Sequence, residues 1–220
     1  MKNTNRIGIG FIGGGFITRF HIKSLIGVRD CDVIGVMSKT RSSAEESCAI
    51  SKALGVGEAK PYNSVTDMVS DPAINALWIC APNFTRLEIM EEIVNAIESG
   101  KGELIGIACE KPLGRNVKEA KQMLALAKKV NLLDGYLENQ VFAPSVTKGK
   151  EIIWERGAST TGRPYLARAS EEHSGPHMPW FWEGELQGGG VLNDMMCHSV
   201  EEARFMLTAP KASRDSLTPL

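Results

Sequence analysis

Residues 6–21 read RIGIGFIGGGFITRFH: an apolar run, three consecutive glycines, then apolar residues at helical spacing. A strand that breaks at glycine and turns directly into a helix commits the chain to a βαβ opening, and the first N–H groups of that helix then face the carboxyl end of the strand. This is how a dinucleotide-binding unit begins. Two overlapping registers of G-x-G-x-x-G fit. Gly8, Gly10 and Gly13 match every letter but place two glycines inside the apolar run, where the strand is still extended. Gly13, Gly15 and Thr18 match less well and place the turn where the run ends. The second register is the expectation: Gly13 makes the turn and Gly15 lets backbone approach a pyrophosphate. Phe16 and Ile17 open the helix, and Thr18 stands where a third glycine or alanine would ease helix packing. In isolation the same letters also suit a methyltransferase loop or a plain turn.

Strands and helices then alternate. CDVIGVMS, from Cys31 to Ser38, is a nearly continuous apolar run of the kind buried on both sheet faces. Ser42 or Ser43 is placed to cap the next helix, which stops at Gly55. NALWICAPN, from Asn75 to Asn83, repeats the buried-strand pattern, and Leu87, Met90, Ile93, Val94 and Ile97 carry a helical period to Gly100. ELIGIACEKP, from Glu103 to Pro112, is a further strand, and Asn116 with Glu119 resembles a capping box. Leu132 to Leu137 reads as another strand. The pattern predicts an α/β fold, a Rossmann domain with a doubly wound parallel sheet, over residues 1–141. From Phe142 the pattern changes to a helix through Ile152–Trp154, a strand over Pro164–Ala169, a loop rich in histidine and aromatics, and a helix over Val191–Leu207. Residues 142–220 are therefore expected to begin an α+β domain.

A formal net charge of −1, with 23% charged and 43% hydrophobic residues, provides no field to attract nucleic acid or anionic membrane, so small ligands are expected. The five cysteines are odd in number and scattered through apolar patterns, which reads as reduced thiols. Lys2 and Arg6 before an apolar run resemble a secretory signal. Gly8, Gly10, Gly13, Gly14 and Gly15, and the lack of a small-residue cleavage site, argue against one. No apolar run reaches the roughly 18 residues of a bilayer span. A cytoplasmic protein is the expectation.

Three segments carry chemistry. At the tip of the second strand an acidic residue would bind a ribose 2′-hydroxyl. Ser38, Lys39, Thr40 and Arg41 stand there instead, a set suited to a 2′-phosphate, so NADP is expected ahead of NAD. The alternative is a pair of solvated loop charges. Glu110-Lys111-Pro112 ends a central strand, where the proline biases Lys111 toward an extended conformation and its ammonium could polarise a substrate oxygen. An ordinary turn is the competing reading. Asp194 and His198 are four apart in a helical pattern, hence on one face; imidazole, with a free pKa of about 6.5, can take a proton from an alcohol while a carboxylate orients it. A surface pair is the alternative. His173, His177, Asp194 and His198 lack the tight spacing of a zinc site, so no metal is expected.

Taken together, these segments resemble the glucose-fructose oxidoreductase and inositol dehydrogenase family (Gfo/Idh/MocA). The likeness runs through the glycine turn ending in His21, Ala81-Pro82-Asn83, Glu110-Lys111-Pro112, and the triple-glycine helix with Asp194 and His198. It implies a NAD(P)-dependent oxidoreductase acting on a sugar, polyol or related cyclic alcohol or carbonyl. It implies Lys111, Asp194 and His198 as the catalytic set. Gly13, Gly15, Phe16, Ile17, Ser38, Lys39, Arg41, Ala81, Pro82, Asn83, Glu110 and Lys111 then lie near the cofactor. Trp180, Phe181 and Trp182 either wall a sugar pocket or anchor their loop. Arg86 stands where many relatives have histidine, and Val141 where arginine is common. Such proteins usually continue well past the Asp/His helix, so the resemblance further implies a shortened second domain, exposed apolar area and a possible homo-oligomer. The alternative function is a dinucleotide-binding protein without turnover.

Overall fold

The computed structural model describes residues 6–176 and 178–210, and these divide into two compact units, the first ending at Leu137 and the second starting at Glu138. That boundary falls four residues ahead of the expected one.

The first unit alternates strand and helix in the order β1 (Ile7–Ile12), α1 (Phe16–Ser24), β2 (Cys31–Met37), α2 (Arg41–Ala53), β3 (Lys60–Tyr62), α3 (Val65–Val69), β4 (Ala76–Ile79), α4 (Arg86–Glu98), β5 (Gly106–Glu110), α5 (Val117–Lys129) and β6 (Leu133–Leu137). The strands lie in the order β3-β2-β1-β4-β5-β6, every neighbouring pair parallel. Alternate side chains face opposite layers. Ile12, Leu77, Ile79 and Ile107 pack with Met68 of α3, Met90 and Ile93 of α4, and Met123 of α5. Ile9, Phe11, Val33 and Val36 pack with Ile22 of α1 and with Ala44 and Cys48 of α2. Burial on both faces is why these strands read as continuous apolar runs.

Packing also explains the glycines of the rejected register. A Cβ on Gly8 would lie 1.8 Å from the Ala73 carbonyl oxygen, and one on Gly10 2.5 Å from the Met68 methyl group. Both are strand positions crowded by neighbours. β3 and α3, at three and five residues, are too short to show a period and were not expected from the sequence. Ser64 caps α3, its hydroxyl accepting from the Asp67 N–H at 3.0 Å. Ser42 and Ser43 do not cap α2: the cap residue is Thr40, which makes no side-chain cap bond, and both serines lie inside the first turn. The loop after β1 presses on that turn, since a Cβ on Gly14 would meet Ser43 backbone at 2.8 Å.

The second unit contains α6 (Pro144–Glu151), a π-helical segment Ile152–Gly157 leading into α7 (Ala158–Thr161), then α8 (Gly184–Gln187), α9 (Gly190–Asp194) and α10 (Met196–Leu207). The strand expected over Pro164–Ala169 is irregular chain. Strand conformation holds only when its backbone groups are paired in a ladder, and no strand is found among the described residues of this unit.

Candidate functional site

Strand order reverses between β1 and β4, the place in an open parallel sheet where ligands enter at the carboxyl edge. β1 ends at Ile12 and Gly13 turns with φ +107°, a conformation that favours glycine. A Cβ there would lie 2.8 Å from the Ala81 nitrogen. The Gly13 N–H donates to the Met37 carbonyl at 2.7 Å, and the Cys80 N–H to Ile12 at 2.8 Å, which draws the tips of β1, β2 and β4 together. The turn is therefore at Gly13, as the chosen register requires. Thr18 is fully buried, and its hydroxyl donates to the Gly13 carbonyl at 2.7 Å. It pins the loop instead of merely making room for it.

α1 begins behind Gly15, which is exposed and has open space where a Cβ would stand. No side chain caps this helix and no acidic residue occupies its first turn, so its leading N–H groups fit an anionic pyrophosphate. Phe16 is 82% exposed beside them, and Ile17 is half-buried. At the end of β2, Ser38 is half-buried and Lys39 exposed; Arg41 bonds Glu45 at 3.0 Å and the Asn63 side-chain oxygen at 2.9 Å. At the end of β4, Ala81 and Asn83 are buried and Pro82 is exposed.

The Glu110 carboxylate is committed inside the fold. Its Oε1 lies 2.6 Å from His21 Nε2, both side chains being buried, and its Oε2 accepts from the Lys111 N–H at 3.1 Å. Trp78 meets the His21 ring edge-on at 5.1 Å. Arg86, buried, donates from Nε to the Ala81 carbonyl at 2.8 Å and from Nη1 to the carbonyls of Glu110 and Pro112, the two that flank Lys111. The Lys111–Pro112 peptide is cis and Lys111 is half-buried. One guanidinium thus ties the end of β4 to the turn that carries the lysine. Burial pushes the nearby Cys109 thiol up to about 11 and raises Cys80 further, so neither is a thiolate at neutral pH.

In the second unit the predicted single helix is two. α9 ends at Asp194 and α10 begins at Met196, with Met195 between them at φ −104°, ψ −43° and its N–H still donating to the Val191 carbonyl at 2.9 Å. The residue that meets the imidazole is Glu138, absent from the sequence reading. His198 Nδ1 lies 2.6 Å from Glu138 Oε1, and both side chains are buried. Glu138 Oε1 also accepts from the Gln140 N–H at 3.0 Å, while its Oε2 is buried without a hydrogen-bond partner among the described residues. The Gln140 amide in turn donates to Glu171 at 2.8 Å. Within the triple glycine, Gly188 turns at φ +90° and Gly190 at +57°, conformations that favour glycine. His173 Nε2 lies 3.0 Å from the Met195 sulfur, and His177 lies outside the described residues. Trp180 and Phe181 stack at 3.8 Å, with Trp182 exposed.

Comparison with known proteins agrees with the fold. Residues 7–134 match the family model described as an oxidoreductase family with an NAD-binding Rossmann fold, and residues 157–216 match a GFO/IDH/MocA C-terminal domain. A 1,5-anhydro-D-fructose reductase of Ensifer adhaerens is 30% identical over 90% of this chain and 56% of its own length. A levoglucosan dehydrogenase of Pseudarthrobacter phenanthrenivorans is 29% identical over 94% of this chain and 52% of its own. The chain thus spans about half the length of the curated relatives it matches. Among solved structures, a probable dehydrogenase from Thermotoga maritima superposes with a TM-score of 0.72 at 24% identity, covering 91% of this chain and 55% of that one. Levoglucosan dehydrogenase in complex with NADH and levoglucosan superposes with a TM-score of 0.68 at 24% identity, covering 92% and 54%. At these identities the superpositions establish the fold.

Proposed function

The chain belongs to the Gfo/Idh/MocA oxidoreductase family, and on that footing we propose that it takes part in NADP-dependent hydride transfer at a secondary alcohol or carbonyl carbon of a sugar or polyol. The observation that carries this reading is the glycine turn at the point where strand order reverses, with the uncapped end of α1 beside it. Gly13, Gly15, Phe16 and Ile17 would hold the pyrophosphate, with Ala81, Pro82 and Asn83 bordering the same sheet edge. Ser38 and Lys39 favour a 2′-phosphate. Arg41 joins them only by exchanging its bonds to Glu45 and Asn63.

A nicotinamide dinucleotide held by these residues would supply the hydride chemistry at the alcohol or carbonyl carbon. His198 takes the hydroxyl proton at Nε2, because Glu138 engages Nδ1 and thereby selects the tautomer whose other nitrogen carries the lone pair. Lys111 supplies positive charge to the oxygen as it becomes alkoxide-like, from a backbone that Arg86 holds on both sides. Asp194 is assigned to hydrogen-bonding the substrate, since Glu138 occupies the imidazole.

Titration of the purified chain with NADPH and NADH, followed by cofactor fluorescence at fixed salt, tests the reading. Tighter binding of NADPH, lost in Gly13→Val, supports it, and binding of neither cofactor overturns it. With cofactor bound, a panel containing levoglucosan, 1,5-anhydrofructose and inositols tests turnover. Lys111→Ala is expected to lower any rate found by on the order of 100-fold while cofactor binding is retained.

A further inference from the structure

Glu138, Cys197 and His198 bring a carboxylate oxygen, a thiol sulfur and an imidazole nitrogen within 4.8 Å of one another. We propose that these three side chains form a binding site for one divalent ion of the zinc class. Two of the donors, Glu138 and His198, are more than nine-tenths buried, and Cys197 is half-buried.

The second observation is the state of the Glu138 carboxylate. Oε1 has two partners, His198 Nδ1 at 2.6 Å and the Gln140 N–H at 3.0 Å, whereas Oε2 is buried with none among the described residues. A buried carboxylate oxygen without a donor is costly, and a cation beside it removes the cost. Next along the same network, Glu171 accepts from Gln140 through one oxygen and leaves its other buried without a partner. The pocket therefore holds more acceptor capacity than the protein's own donors satisfy.

Donor chemistry selects the ion. Thiolate, imidazole and carboxylate together suit a borderline-soft ion, and three protein ligands with a fourth position left to water is the usual arrangement of an open zinc site. Calcium and magnesium prefer sets made wholly of oxygen. The ion takes the place of the proton between Nδ1 and Oε1, the neutral imidazole then carrying its proton on Nε2, and the thiol proton leaves to solvent; the ion-loaded chain therefore differs from the metal-free form whose Nε2 takes the hydroxyl proton. Two donors at about 2.0–2.2 Å from one tetrahedral ion stand more than 3 Å apart, so the 2.6 Å pair opens as the ion enters. The spacing that announces most zinc sites is missing here because Glu138 lies sixty residues before His198.

The inference goes beyond hydride transfer, and its test is independent of turnover. The chain, free of any histidine tag and stripped with chelator, is dialysed against Zn²⁺ and analysed for bound metal, then titrated with Co²⁺ as a spectroscopic replacement. The expected result is about one ion per chain and a near-ultraviolet sulfur-to-cobalt charge-transfer band that disappears in Cys197→Ser. Glu138→Gln is expected to weaken Co²⁺ binding at least tenfold, with circular dichroism reporting whether each variant is folded. A wild-type chain that binds neither ion stoichiometrically, or that binds cobalt without the sulfur band, overturns the proposal without needing any variant. Binding that is unchanged in both folded variants also overturns it, by placing the ion elsewhere.

Discussion

A single imidazole, His198, depends on a residue far from it in the chain. Glu138 fixes its Nδ1, so Glu138→Gln is expected to shift the imidazole away from the Nδ1–H tautomer, read from its ¹⁵N resonances in metal-free protein. Any turnover should fall by about 10- to 100-fold, within the range that general acid–base groups contribute. His21 poses the opposite case, a histidine whose partner is consumed by structure. His21→Ala leaves the Glu110 carboxylate buried without its cation-capable partner. The expected loss is about 3 kcal/mol of unfolding free energy, measured by urea denaturation. Both partners were invisible to a local reading, because the pairs span 60 and 89 residues. Arg86 was visible only as an unusual letter. Its role emerged from the two carbonyls it brackets.

Among the elements, those governed by neighbours along the chain were legible in advance. The Asn116 side chain accepts from the Glu119 N–H at 3.0 Å and starts α5 as expected, although the Glu119 carboxylate reaches back to the Arg115 N–H and not to the cap residue. Asn116→Ala is expected to cost about 1 kcal/mol in thermal unfolding. β3 is tied to the loop that follows α3 by Asp71, which takes hydrogen bonds from Lys60 at 2.8 Å, Tyr62 at 2.6 Å and the Ala73 N–H at 2.9 Å. The Lys60 ammonium, then Tyr62, hold its carboxyl down to about 2. A carboxylate depressed in the folded state stabilises above its unfolded pKa of about 3.9, and that contribution fades as pH falls toward 2. Asp71→Asn should therefore lower stability near pH 6 by on the order of 1 kcal/mol, a modest figure because Lys60 is exposed. The difference from wild type should close below about pH 2. The one-residue interruption at Met195 was not legible: every residue from Val191 to Leu207 tolerates helix, and the periodic pattern crosses the interruption without a proline or glycine to mark it.

For the whole molecule, cofactor and stability are linked. A dinucleotide that binds the folded chain and not the unfolded one raises stability by about 2.7 kcal/mol at a hundredfold excess over Kd. A melting temperature that rises with NADPH, and rises less with NADH at equal concentration, is the expected outcome in a thermal scan. Exposed apolar side chains are present in both units, among them Leu133 on β6 at the sheet edge and Tyr165 and Leu166 in the second. In the second unit the reading of Pro164–Ala169 as a strand failed, because strand propensity is realised only beside a ladder partner.

Hydrophobic period, glycine position and capping residues were enough to establish the parallel α/β architecture, the turn at Gly13 and the start of α5, since each rests on backbone energetics within a few residues. Which side chains meet was settled by the fold. His21 reaches Glu110 because strand order carries β5 to within reach of α1, and Glu138 reaches His198 because the residues after β6 pack against the first turn of α10. A buried charge must find its partner in space, and proximity in space is a property of the assembled chain that no local pattern encodes.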